Sequence, residues 1–243
     1  MEGMGSLVQF TVSETKKKGR RCNILLRNLY LMLRVSSNSK NYGNNVKKKN
    51  VYIFAKIMRT DDILKIKAVL LYIIQNSNAD RHDVYSIVKT AYYAQQIHFA
   101  KWALPIYKDK IAALPFGPVP STIYDILKVS RGETSIERFY KGIPISLVTE
   151  AIGFEYESFI AKENADINFL SISEIECLNE AIAKVASMNF AEIKNDTHGQ
   201  EWKRAFNDPC HFMDNIAIAK EGGADDSIVD YLMDTLVLEE VLG

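Results

Sequence analysis

The chain has 243 residues, 47% hydrophobic and 25% charged, enough to bury a globular core without disulfides or metals. Its net charge of zero hides two regions: residues 1–50 hold 11 Lys/Arg and 2 Asp/Glu, and residues 51–243 hold 19 and 28, so a basic segment precedes an acidic body. Three widely spaced cysteines, Cys22, Cys177 and Cys210, fit a reducing, cytoplasmic setting, and the apolar run 68–74 is far short of the roughly 20 residues that cross a membrane.

Residues 1–57 carry the basic clusters Lys16-Lys17-Lys18, Arg20-Arg21 and Lys47-Lys48-Lys49 around an Asn/Ser-rich stretch. That composition buries too little apolar surface to repay ordering. Only 24–35 has the pattern of a short helix; Arg27 and Asn28 interrupt it and no small-residue cleavage site follows, which argues against a secretion signal. The expectation is a low-order leader, or a start assigned upstream of a true one at Met58. A basic arm for nucleic acid is the functional alternative.

From Asp61 the pattern turns helical. Ile63, Ile66, Val69, Leu70, Ile73 and Ile74 share one face, with Thr60 or Asp61 as cap. A second helix follows Asp80, with Val84, Ile87, Val88, Ala91, Tyr92, Gln95, Phe99 and Trp102 as its stripe and Pro105 as its end. Four of the six prolines fall in 104–120, where 106–107 and 111–114 are expected to pair as short strands. Pro120 is placed at the first position of a helix from Ser121. Residues 130–168 read as irregular and exposed. Ser171 and Glu174 form a capping box before a stripe of Ile172, Ile175, Leu178, Ile182 and Val185, and Asn189 with Glu192 repeats the signal. Asp208-Pro209 is expected to open a helix that Gly222-Gly223 breaks, and Asp225 or Asp226 to cap the last one. The fold class is therefore mainly α: one compact helical domain over 58–243, with a short Pro-rich connector or strand pair near 104–120.

Chemistry is hard to find. No two of His82, His98, His198 and His211 stand four apart, and no Cys-x-x-Cys exists, so neither a metal nor a cofactor is expected. Gly-x-Ser-x-Gly and Gly-rich phosphate loops are missing. Cys177 lies beside an apolar stripe, which suits packing better than reactivity. Two segments remain. In Phe116-Gly117-Pro118-Val119-Pro120, followed by Tyr124, the prolines fix the path and Gly117 supplies freedom between them; it reads as a rigid corner or as a preformed contact surface. In THGQEWKRAF, His198 and Trp202 share a face if the helix runs through Gly199. If it stops there, Trp202 plugs the core or faces a partner. His98 reads as a satisfied packing histidine.

These segments resemble the Panacea domain, also called the SocA-like antitoxin domain. In that family a helix of the form LLYFAQ-x-x-H leads to G-x-P-L-F and then to a YGPVVP-x-x-Y turn. Here 91–98, 103–107 and 116–124 stand in those places, with the turn one valine-like residue short and Phe116 as its aromatic. Leu170-Ser171 with Glu174, Thr197-His198 with Trp202, and a GADD run at 223–226 follow in the family's order. The resemblance implies neutralisation of a small toxin encoded nearby, in a bacterial or phage-associated system. The mode would be direct binding or delivery to a Clp-type protease, without catalytic residues. His98, Pro105, Gly117, Pro118, Pro120, His198 and Trp202 would be structural motif residues. Partner contact is expected at exposed aromatics, for which Tyr107, Phe116, Tyr124 and Phe139 are the candidates, with the acidic body steering a basic toxin. The alternatives are a nucleic-acid-binding regulator using the basic arm, or a hydrolase that brings His98 and His198 together with a carboxylate.

Overall fold

The computed structural model describes residues 58–242. The basic segment 1–57, with its expected short helix and nucleic-acid arm, lies outside them. Helix α1 spans Thr60–Asn76 and buries all six residues of its stripe. Neither Thr60 nor Asp61 caps it: Arg59 holds the N-cap position, and the Asp62 carboxylate accepts from the Arg59 backbone N–H at 2.8 Å. Helix α2 spans Val84–Trp102 and is capped by Asp83, which accepts from Ser86 N at 3.0 Å. Asp80 instead sits in the 3-10 turn Ala79–Arg81. The end of α2 comes before Pro105, at Ala103 in the left-handed region (φ 54), whose N–H bonds back to Phe99 O.

The 104–120 region departs from its expected pairing. Strand β1, Ile111–Leu114, pairs antiparallel with β2, Gly117–Pro120, through the tight turn Pro115-Phe116. Residues 106–107 form no strand because Gln95, from within α2, satisfies them: its Oε1 accepts from Ile106 N at 2.9 Å and its Nε2 donates to Tyr107 O at 3.1 Å. Prolines survive in β2 because Pro118 and Pro120 stand opposite Ala113 and Ile111, whose own backbone groups turn outward. Ala113 N donates to His211 O at 2.8 Å, and Ile111 O accepts from Met213 N at 2.9 Å. Helix α3, Ser121–Ser130, takes Pro120 as its N-cap, not as its first residue. The half-buried Asp109 carboxylate caps it from a distance, accepting from Thr122 N at 2.9 Å and Ile123 N at 3.2 Å.

The stretch expected to be irregular holds a 3-10 helix, Thr134–Tyr140, the short helix α4, Ser146–Thr149, and a hairpin of β3, Ile152–Glu155, with β4, Ser158–Ala161. Ile152 and Phe159 of that hairpin are core residues. Helix α5, Ile172–Ala186, starts at the expected capping box: Ser171 Oγ accepts from Glu174 N at 3.2 Å and the Glu174 carboxylate from Ser171 N at 2.7 Å. Its buried face is Cys177, Leu178, Ala181 and Val185; Ile172, placed on that stripe by spacing, is 78% exposed. Helices α6, Phe190–Thr197, and α7, Gln200–Phe206, follow. Asp208-Pro209 opens no helix; α8, Asn215–Glu221, begins at Asp214, which accepts from Ala217 N. Asp225 accepts from Ile228 N and starts α9, Asp226–Leu242. Helix α2 is central: α1, α5, α8, α9 and β2 all pack on it, so most of its side chains are withdrawn from water, although Trp102, placed on its stripe by spacing, is 49% exposed. Among the described residues, no helix is long and apolar enough to cross a membrane.

Candidate functional site

Gly117, Pro118, His198 and Trp202 of the motifs meet at the seam where the β1–β2 hairpin lies across α2, α6 and α7. Gly117 is the closest point. Its φ of +101 lies where side chains are strained, and a Cβ there would stand 2.6 Å from Lys89 Nζ and 2.7 Å from Thr197 Oγ1. The expectation of a glycine for backbone freedom is met, and the structure adds a second reason, because the hairpin backbone presses directly onto α2 and α6.

Beneath it, Lys89 is 1% exposed and its ammonium donates to Pro118 O at 2.8 Å. Burial pushes this lysine down to about 7. Its Nζ lies 5.3 Å from the centre of the Tyr85 ring. Thr197 donates its hydroxyl to Ile193 O at 2.8 Å. His198 ends α6 and Gly199 starts α7, so the helix does stop at this point. The break nevertheless brings the His198 ring flat onto Trp202, with centroids 3.6 Å apart and planes within 4°. Trp202 stacks on Phe206 in turn, at 4.8 Å, and its indole N–H donates to Leu114 O at 3.0 Å, tying α7 to β1. Trp202 is therefore half-buried and wedged between elements, not plugged into the core. Burial and the ammonium groups of Lys89, Lys194 and Lys203 hold His198 below the usual imidazole value. Among the described residues, the Tyr85 hydroxyl and His198 Nε2 are buried without a hydrogen-bond partner.

Above the seam lies an aromatic patch. Phe116 is 59% and Phe190 50% exposed, and their rings meet edge to face at 6.0 Å. Phe190 also packs on Tyr85 at 4.5 Å, and Lys194 Nζ lies 5.7 Å from the Phe116 ring centre. Two large apolar rings held together at the surface, beside cationic side chains, form a surface suited to a protein partner.

The other candidates fall elsewhere. Tyr107 is not a surface residue: it is 2% exposed and its hydroxyl donates to Ala91 O at 2.8 Å. Tyr124 is half-buried against the core with Lys128 over its ring. Phe139 is exposed, with Arg138 over its ring. His98 is buried and satisfied, its Nδ1 2.7 Å from Leu104 O and Nε2 3.3 Å from Ser173 Oγ, and it shares no partner with His198. Pro105 is exposed just beyond the α2 end, and Pro118 and Pro120 are buried in β2. Lys89, Tyr85, Phe190 and Lys194 were not singled out by sequence; a lysine inside an otherwise apolar helical face was the available signal. Among the described residues, no group of three or more His, Cys, Asp or Glu side chains is placed to hold a metal ion.

Residues 87–203 match the model of the antitoxin SocA-like, Panacea domain family. That span, just under half of the chain, is similar to the Panacea domain. No curated protein and no solved structure matches the chain. The matched span runs from α2 to α7 and holds Lys89, the whole β1–β2 hairpin, Phe190, His198 and Trp202. The seam thus lies within the matched span and brings together Gly117, Pro118, His198 and Trp202 of the sequence motifs.

Proposed function

We propose that this protein is an antitoxin that binds and neutralises a small toxin protein in the cytoplasm, and that the toxin docks on the patch formed by Phe116 and Phe190. The observation that carries the reading is the pair of exposed, mutually packed aromatic rings on the Panacea segment itself, anchored by a hairpin that Gly117, Lys89 and Trp202 hold in place. Anchored aromatics lose little conformational freedom on binding, which makes them effective contact residues. Phe139 offers a further exposed aromatic on the 3-10 helix, and Tyr124 contributes at most an edge.

Neutralisation by covering the toxin, or by handing it to a Clp-type protease, needs the same contact and no catalytic group. The acidic body steers a basic toxin at long range. The test is titration calorimetry with the purified toxin encoded beside this chain. Phe116→Ala with Phe190→Ala should weaken binding at least about 30-fold, two hot-spot losses of more than 1 kcal/mol each, in a variant that still melts cooperatively. Unaltered affinity in the folded double variant would remove this patch as the docking surface.

A further inference from the structure

Charge at the seam runs against charge over the body. Lys89, Lys194 and Lys203 all act on His198, and the acidic groups nearby are engaged. Asp83 accepts from both the backbone N–H and the hydroxyl of Ser86, and Asp196 accepts from the Tyr93 hydroxyl and pairs with Lys184. The Lys89 ammonium is 1% exposed and takes part in no ion pair among the described residues. An ammonium has three N–H donors, and Pro118 O takes one of those on Lys89. The Tyr85 hydroxyl and His198 Nε2 are also buried without partners among the described residues, and the Tyr85 ring centre lies 5.3 Å from Lys89 Nζ. Folded proteins rarely leave a lone buried charge with unpartnered donors around it, because each costs free energy unless something accepts from it.

We propose that the seam beneath the β1–β2 hairpin is a site for a single oxyanion, a carboxylate or a phosphate group, held by Lys89 with Tyr85 and His198. All three groups can donate to one acceptor, and while Lys89 is protonated an anion is the acceptor that also offsets its charge. Thr197 takes no part, since its hydroxyl is spent on Ile193 O. Phe116 and Phe190 stand over the seam as its exposed rim, so an acidic side chain of a protein docked on that patch would reach the site together with the aromatic contact. That source rests on the antitoxin reading; the site itself does not.

The full chain is titrated with sodium phosphate and with sodium acetate, each at ionic strength fixed with sodium chloride, while the ring resonances of His198 are followed by NMR. A saturable shift with both anions identifies a general oxyanion site open to a partner's carboxylate, and saturation with phosphate alone identifies a phosphate site. Lys89→Met should abolish the response. Tyr85→Phe removes only an unpartnered hydroxyl, so it should not lower the melting temperature in chloride and should weaken the anion about fivefold, the loss of one hydrogen bond. This second variant keeps the test decisive if Lys89→Met does not fold. No saturable shift in the wild type, or an equal one in Tyr85→Phe and Lys89→Met, overturns the proposal. Toxin binding through Phe116 and Phe190 would stand or fall separately.

Discussion

Gly117→Ala separates the two demands made on this glycine. Adding a Cβ puts an L side chain at φ +101 and drives it to 2.6 Å from Lys89 Nζ and 2.7 Å from Thr197 Oγ1. The conformational part costs about 1–2 kcal/mol. Thr197 cannot move freely, since its hydroxyl is fixed to Ile193 O, and Lys89 can move only by giving up Pro118 O inside the fold, a further cost of about 1–2 kcal/mol. The sum, about 3 kcal/mol, corresponds in a protein of this size to a melting temperature lower by about 6–12 °C. Gly132 provides the control: its φ is +106, but a Cβ there would meet nothing within 4 Å. Gly132→Ala should therefore carry the conformational cost alone, about half as large. Calorimetric melting of the two variants beside the wild type measures the difference. Equal losses would show that the hairpin does not press on α2 and α6, and the geometry of the seam would be wrong.

Lys89→Met gives a pH signature. The folded lysine titrates at about 7 and the unfolded one near 10.5. Between those values the unfolded chain binds more protons, so burial of the ammonium destabilises most below pH 7, and that penalty fades as pH rises toward 10.5. The unfolding free energy of wild type minus variant should climb across this window, by on the order of 5 kcal/mol at most; denaturant titrations at pH 6.5 and 9.5 that give the same difference would refute it. Trp202→Ala should cost about 2–3 kcal/mol, below the loss for a fully buried aromatic, because the ring is half-buried although its N–H holds Leu114 O; an unchanged denaturant midpoint would contradict its wedging role. Tyr107→Phe, which removes only the bond to Ala91 O in the core, should lower stability by about 1–2 kcal/mol and leave toxin affinity untouched; a loss of affinity at unchanged stability would return Tyr107 to the partner surface.

The helices were legible where local chemistry decides them. The Ser171–Glu174 and Asn189–Glu192 capping boxes mark their helix starts because both halves of each hydrogen-bond exchange lie within four residues. What escaped depends on distant partners. The 106–107 segment has strand-forming residues, but Gln95 from the middle of α2 takes its backbone groups, and no local pattern announces that. The β3–β4 hairpin was hidden because its turn places Tyr156 and Glu157 at φ 51 and 62, where glycine or asparagine is the usual marker. In the site, Gly117, His198 and Trp202 were visible as motif residues. Their juxtaposition with Lys89 was not, since it requires α2, the hairpin and α6 to close on one another, and a lone lysine on a helix ordinarily reads as solvated surface.

The most direct test of the antitoxin assignment is growth. The small reading frame beside this gene is expressed from an inducible promoter, alone and together with this chain. Growth should stop in the first case and recover in the second, and recovery should fail with the folded Phe116→Ala, Phe190→Ala variant. A neighbouring product that is harmless alone, or growth arrest that this protein does not relieve, would contradict the assignment.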